Sequence, residues 1–133
     1  MKELIILPNS EADNSRTDEL LDAYSARKGI EFKRYDYHIE QDGRLVAGIM
    51  AWSLGPDVHI DSLAVDESAR RQGLGAALLA HVEEVARQQG CTTASVDTFS
   101  HQAPDYYPKQ GYKVIFRYPL DDGSERIYFS KRL

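Results

Sequence analysis

The chain has a single cysteine, Cys91, in 133 residues. An intrachain disulfide is therefore excluded, and a reducing, cytoplasmic address is expected. The four histidines, His38, His59, His81 and His101, share no metal-ligand spacing with one another or with Cys91, so no metal is expected. No stretch approaches the roughly 20 apolar residues of a membrane helix, and the apolar run at residues 4–7 is too short for a signal peptide. Basic excess is also lacking. The 16 Lys and Arg against 21 Asp and Glu give a net charge of −5. That balance argues against nucleic acid or an anionic membrane as partner and suits a cationic small molecule better. There is no repeat, linker or low-complexity tract, so one domain over residues 1–133 is expected.

What is present alternates between strand and helix patterns. Residues 4–7 read as a strand closed by Pro8. A helix capped by Asn14 or Ser15 follows, with Leu20, Leu21 and Tyr24 on one face and Gly29 as its stop. Residues 33–39 alternate as a strand, Asp42-Gly43 is a hairpin turn, and residues 45–54 form a nearly continuous apolar strand, hence central. In the strand at 58–65, alternation puts His59, Asp61 and Leu63 on one face and Val58, Ile60 and Ala64 on the other. A polar turn leads to a long amphipathic helix (Leu74, Ala77, Leu78, Val82, Val85, Ala86) closed by Gly90. A strand at 94–98, a short helix at 103–110 and a C-terminal hairpin turning at Asp122-Gly123 complete the chain. The order is β-α-β-β-β-α-β-α-β-β: an α/β fold of α+β type, with a mixed, mostly antiparallel central sheet and helices on both faces.

The most informative stretch is Arg70-Arg71-Gln72-Gly73-Leu74-Gly75-Ala76. It lies between a strand and a long helix. The first N–H groups of a helix have no partner within it and carry partial positive charge, so they suit a phosphate. Glycine lets the backbone approach phosphate oxygens without a Cβ in the way. A dinucleotide fingerprint is disfavoured because position 78 is Leu rather than Gly, and no lysine stands where a P-loop requires one.

This stretch, with the preceding His59-Ile60-Asp61-Ser62-Leu63-Ala64-Val65, resembles the fourth strand and acetyl-CoA motif of the GNAT superfamily of N-acetyltransferases. A second block, Ala103-Pro104-Asp105-Tyr106-Tyr107-Pro108-Lys109-Gln110-Gly111-Tyr112, is similar to that family's tyrosine-bearing segment. The resemblance implies strands splayed into a V, with acetyl-CoA as cosubstrate. It implies backbone contacts to the pantetheine and thioester from Leu63, Ala64 and Val65, with the Leu63 N–H polarising the carbonyl. The diphosphate would lie on residues 70–76: Arg70, Arg71, Gln72, Gly73, Leu74, Gly75 and Ala76. Tyr107 matches the general acid for the departing thiolate. Ser100 stands where the family often has an asparagine that touches CoA, and Pro108 follows Tyr107 directly, which leaves Tyr106 open as an alternative acid.

An alkylamine must lose a proton before it attacks a thioester. His59 and Asp61 are the candidates: His59 as base, with Asp61 beside it or holding the cationic amine. His101 opens the loop before Tyr107 and is a lesser candidate to line the cleft, behind a structural role, and His81 reads as structural. Tyr35, Tyr37 and Trp52 are candidates for the acceptor pocket. The function these readings imply is acetyl transfer from acetyl-CoA to a small-molecule or peptide amine, by direct attack in a ternary complex, in a monomer or homodimer. The alternative is a non-catalytic module of the same fold that senses CoA or a nucleotide.

Overall fold

A computed structural model describes residues 3–133. They fall into two compact units, one ending at Phe32 and one running Lys33–Leu133.

The first unit holds helix α1, Glu11–Arg27. Its start is set by a capping box. The Ser10 side chain accepts from the Asp13 N–H at 3.2 Å, and the Asp13 carboxylate accepts from the Ser10 N–H at 2.9 Å. The helix therefore begins earlier than Asn14 or Ser15 would place it, and Asn14 instead accepts from the Asn9 side chain. Residues 4–7 are not the expected strand: they are irregular and 73–89% exposed. A strand needs a neighbour's ladder as well as apolar residues, and β-propensity alone does not supply one. Leu20, Leu21 and Tyr24 are more than half exposed.

The second unit is built on a seven-stranded sheet: β1 (Phe32–Arg34), β2 (Tyr37–Gln41), β3 (Arg44–Leu54), β4 (Asp57–Val65), β5 (Thr93–Phe99), β6 (Lys113–Pro119) and β7 (Glu125–Arg132). The spatial order is β1-β3-β4-β5-β7-β6, with β2 also pairing β3. The expected strand at 33–39 is thus two strands. Tyr35 breaks it by turning inward, where its hydroxyl lies 2.9 Å from Ser53 Oγ in the core. That placement removes Tyr35 from the acceptor pocket. β2 with β3, β3 with β4, β5 with β7 and β6 with β7 are antiparallel; β4 and β5 are parallel.

Helix α2, Leu74–Gln88, buries Leu78, Leu79, Val82 and Ala86 against Ile49, Ala51, Val58, Ile60, Ala94 and Val96 of the sheet. Helix α3 is shorter than the sequence suggests, Tyr106–Lys109 only. Pro108 is tolerated there because the first turn of a helix has N–H groups without helical partners in any case.

Register decides what faces what. Ile49 pairs Leu63 and Met50 pairs Ser62, but Ala51 pairs Ile60. Asp61 is the extra residue of a β-bulge in β4. A bulge reverses the alternation beyond it. Leu63 and Val65 therefore share the α2 face with Val58 and Ile60, and pack against the same core. The expected common face for His59 and Leu63 does not exist: His59 pairs Trp52 and lies on the opposite face.

Candidate active site

Two strands part company at the centre of the sheet. The parallel pairing of β4 with β5 runs from Asp57↔Thr93 to Ile60↔Val96 and stops. The bulge at Asp61 bends β4 away at that point. Beyond it, residues 61–65 of β4 and Asp97 and Thr98 of β5 line the two sides of a cleft of about 900 Å³, with the start of α2 and residues of α3 at its wall.

The entrance to α2 is shaped for an anion. Gly73, the N-cap, is left-handed (φ 74°), and Arg71 is also left-handed (φ 68°). An arginine in that conformation is strained, and strain of this kind is held only by surrounding structure. No side chain caps α2 and no acidic residue stands in its first turn. α1, by contrast, has a full capping box and two acidic residues there. The N–H groups of Leu74, Gly75 and Ala76 therefore open on the cleft uncapped, with the helix dipole behind them. Arg70 lies at the same mouth, its Nε 3.4 Å from the Val65 carbonyl. The Gln72 side chain accepts from Gln41 at 2.8 Å. A Cβ at Gly75 would stand 3.0 Å from the Tyr106 hydroxyl and 3.4 Å from Val65 Cγ2. This donor-rich turn fits the diphosphate of CoA.

Leu63, Ala64, Val65, Arg70, Arg71, Gly73, Leu74, Gly75, Ala76, Asp61 and Tyr107 all line the cleft. Gln72 flanks it. Ser100 is turned to another task. Its Oγ accepts from the Glu125 N–H at 2.9 Å and its own N–H donates to the Glu125 carbonyl at 2.8 Å, which ties the end of β5 to β7.

Tyr107 is 8% exposed, with its ring edge-on to Tyr106 and Tyr112 and tilted against Phe129. Its carbonyl accepts from the N–H groups of Gln110 and Tyr112, which fixes the backbone around Pro108. Burial, then the neighbouring Tyr106 and Asp97, push its phenol up to about 12.

On the opposite face of the sheet a chain of polar groups crosses from β4 to β5 and β7. Ser95 Oγ donates to Asp57 at 2.6 Å, so toward His59 Nδ1, 3.0 Å away, it can only accept. Nδ1 therefore carries a hydrogen, and Nε2 is the nitrogen that faces Asp97. Nε2 lies 3.4 Å from Asp97 Oδ1, and Asp97 Oδ2 accepts from Arg126 Nε at 2.8 Å. Asp97, unlike His59, lines the cleft. The sequence reading missed it. The available sign was a polar stripe on β5, Ser95 and Asp97 between Ala94, Val96 and Thr98, in parallel register with His59.

The remaining candidates lie elsewhere. His81 stands edge-on to Tyr37 at 4.5 Å, and His101 stacks on Phe99. Trp52 packs beside His59, ring centres 5.4 Å apart. Among the described residues no group of three or more His, Cys, Asp or Glu is placed to hold a metal, and no helix is long and apolar enough to cross a membrane.

A sheet split at a bulge, with a glycine turn and an uncapped helix at its mouth, defines an acetyltransferase of the GNAT type. Residues 1–112 match the Acetyltransferase (GNAT) family, and the chain belongs to it. An acetyltransferase of Agrobacterium fabrum is 31% identical over 128 residues, 93% of each chain. Blasticidin-S acetyltransferase of Streptomyces morookaense is 36% identical over 84 residues; the match spans 62% of this chain and 62% of that relative's length. The crystal structure of an acetyltransferase from Bacillus cereus is 27% identical, covers 98% of both chains and has a TM-score of 0.74.

Proposed function

We propose that the protein transfers the acetyl group of acetyl-CoA to the amine of a small-molecule or peptide acceptor by direct attack in a ternary complex. The carrying observation is the parting of β4 and β5 over the uncapped start of α2, which offers backbone donors along one path. The N–H groups at Arg71, Gly73, Gly75 and Ala76 would hold the diphosphate. The backbone at Leu63 and Val65 would hold the pantetheine, with the Leu63 N–H on the thioester carbonyl, where negative charge develops.

The acceptor enters from the other side of the V. Asp97 holds its ammonium at the apex, with Asp61 on the rim. The proton leaves toward His59 Nε2 directly or through one water, and the freed amine attacks the carbonyl. As the C–S bond breaks, charge builds on sulfur beside Tyr107. A phenol near 12 is a weaker acid than a thiol of about 8.5, so complete proton transfer to sulfur runs uphill. Donation of a hydrogen bond to the sulfur is the larger part of what Tyr107 supplies.

The relative that acts on blasticidin S makes amine-bearing antibiotics the first acceptors to test. The test is release of CoA thiol from acetyl-CoA with blasticidin S, aminoglycosides, polyamines, amino acids and lysine peptides, beside calorimetry with CoA. Binding of CoA with turnover of one amine class supports the reading. Binding without turnover of any class turns it toward a CoA-sensing module, and absence of CoA binding removes it.

A further inference from the structure

Among the described residues, the Tyr106 hydroxyl is the buried side-chain polar atom left without a hydrogen-bond partner. Tyr106 is only partly buried and lines the cleft, but a buried hydroxyl left without an acceptor is costly, and phenylalanine in the same place would avoid that cost. The orphan also has a particular address. It lies against the first turn of α2 and the end of β4, where a Cβ on Gly75 would stand 3.0 Å from it. The same corner holds the uncapped N–H groups of that turn. Backbone donors and a phenolic donor converge there, and the protein supplies no acceptor to the phenol. Burial raises the Tyr106 phenol above its ordinary value, so near neutral pH it is a donor and not an anion.

A set of donors without an acceptor is complementary to an acceptor-rich, anionic ligand. We propose that Tyr106 is a cofactor-binding residue whose hydroxyl donates a hydrogen bond to a diphosphate oxygen of CoA at the first turn of α2. This rests on the reading of the cleft as a CoA site and divides the labour of the tandem tyrosines. Tyr106 holds the cofactor, while Tyr107, edge-on to it at 5.3 Å, serves the sulfur.

The experiment compares wild type with Tyr106→Phe, using CoA, 3′-phosphoadenosine 5′-diphosphate (CoA without its pantetheine) and pantetheine as probes. Calorimetry measures affinity, and thermal unfolding measures the ligand-free protein. Affinity for CoA and for the adenine diphosphate should fall about tenfold or more, as expected for a lost hydrogen bond to a charged group, with pantetheine unaffected. The ligand-free variant should unfold at the same temperature or a few degrees higher, because an unsatisfied hydroxyl has been removed. Equal CoA affinity in the two proteins overturns the assignment. So does a lower unfolding temperature in the ligand-free variant, which marks a packing role, or a loss confined to pantetheine. A wild type that does not bind CoA overturns both this inference and the reading beneath it.

Discussion

His59 Nε2 lies 3.4 Å from Asp97 Oδ1, across the point where β4 and β5 stop pairing. The last paired rung, Ile60↔Val96, lies between them: His59 pairs Ser95 just before it and Asp97 follows just after it, both on the face opposite α2. Ser95 and Asp57 fix the imidazole from behind, and Arg126 fixes the carboxylate from the side. The result is a carboxylate at the apex of the cleft with a histidine behind it, oriented to take a proton.

Asp97→Asn keeps the shape and removes the charge. With an amine that the wild type acetylates, we expect kcat/KM for the amine to fall about 10²-fold while CoA affinity stays within twofold. His59→Ala should lower kcat about 10²-fold, again with CoA affinity within twofold. Rates for both variants equal to wild type across pH would reduce the pair to a structural tie.

Gly75→Val places two methyl groups on the path between α2 and Val65, where even a Cβ meets the Tyr106 hydroxyl. Affinity for CoA should weaken by about 2 kcal/mol or more, with the far-ultraviolet spectrum unchanged. Calorimetry giving wild-type affinity in a folded variant would show that the ligand takes another route.

Tyr107→Phe retains the ring packing against Tyr112 and Phe129 and removes the hydroxyl. We expect kcat to fall about 10²-fold with little change in KM for acetyl-CoA, the reverse of the split expected for Tyr106→Phe. Steady-state kinetics of the two single variants settle the register. If Tyr106→Phe lowers kcat and Tyr107→Phe does not, the roles are exchanged.

Tyr107 also makes the fold sensitive to alkali. Its phenol is pushed up to about 12 in the folded protein from the ordinary 10.0 of a tyrosine, so between those pH values the unfolded chain releases the proton first. The contribution is full below pH 10 and is lost as pH rises through about 12. Denaturant titrations from pH 9 to 12 should show a smaller alkaline loss of stability in Tyr107→Phe than in wild type. Parallel curves would mean that Tyr107 ionises alike in the folded and unfolded states. Tyr35 and Tyr112 are shifted in the same direction by burial, so part of the wild-type fall persists in the variant.

The local chemistry was legible from the chain itself. Glycine at 73 and 75 next to two arginines, followed by an apolar 3.6-residue period, marks the start of an amphipathic helix with donors free to meet an anion. A short helix before Gly111 was legible too, although the sequence suggests 103–110 and the helix forms only over Tyr106–Lys109, with Pro108 in its first turn. Those outcomes depend on neighbours within one or two turns, so a sequence contains them. What lay beyond reach depends on register between distant strands. Whether His59 shares a face with Leu63 was decided by one extra residue at Asp61, and a bulge is defined only against the partner strand, here Met50 and Ala51 of β3. Asp97 came to the cleft because parallel pairing set it two residues past Ser95, the partner of His59, which stands 38 positions earlier in the chain. Which of two adjacent tyrosines meets Gly75 was decided by how the segment packs: the Tyr106 hydroxyl lies there, while Tyr107 turns to Tyr112 and Phe129. Alternation and spacing fix what a segment can become, but only the packing of one element on another fixes which of its groups is left without a partner.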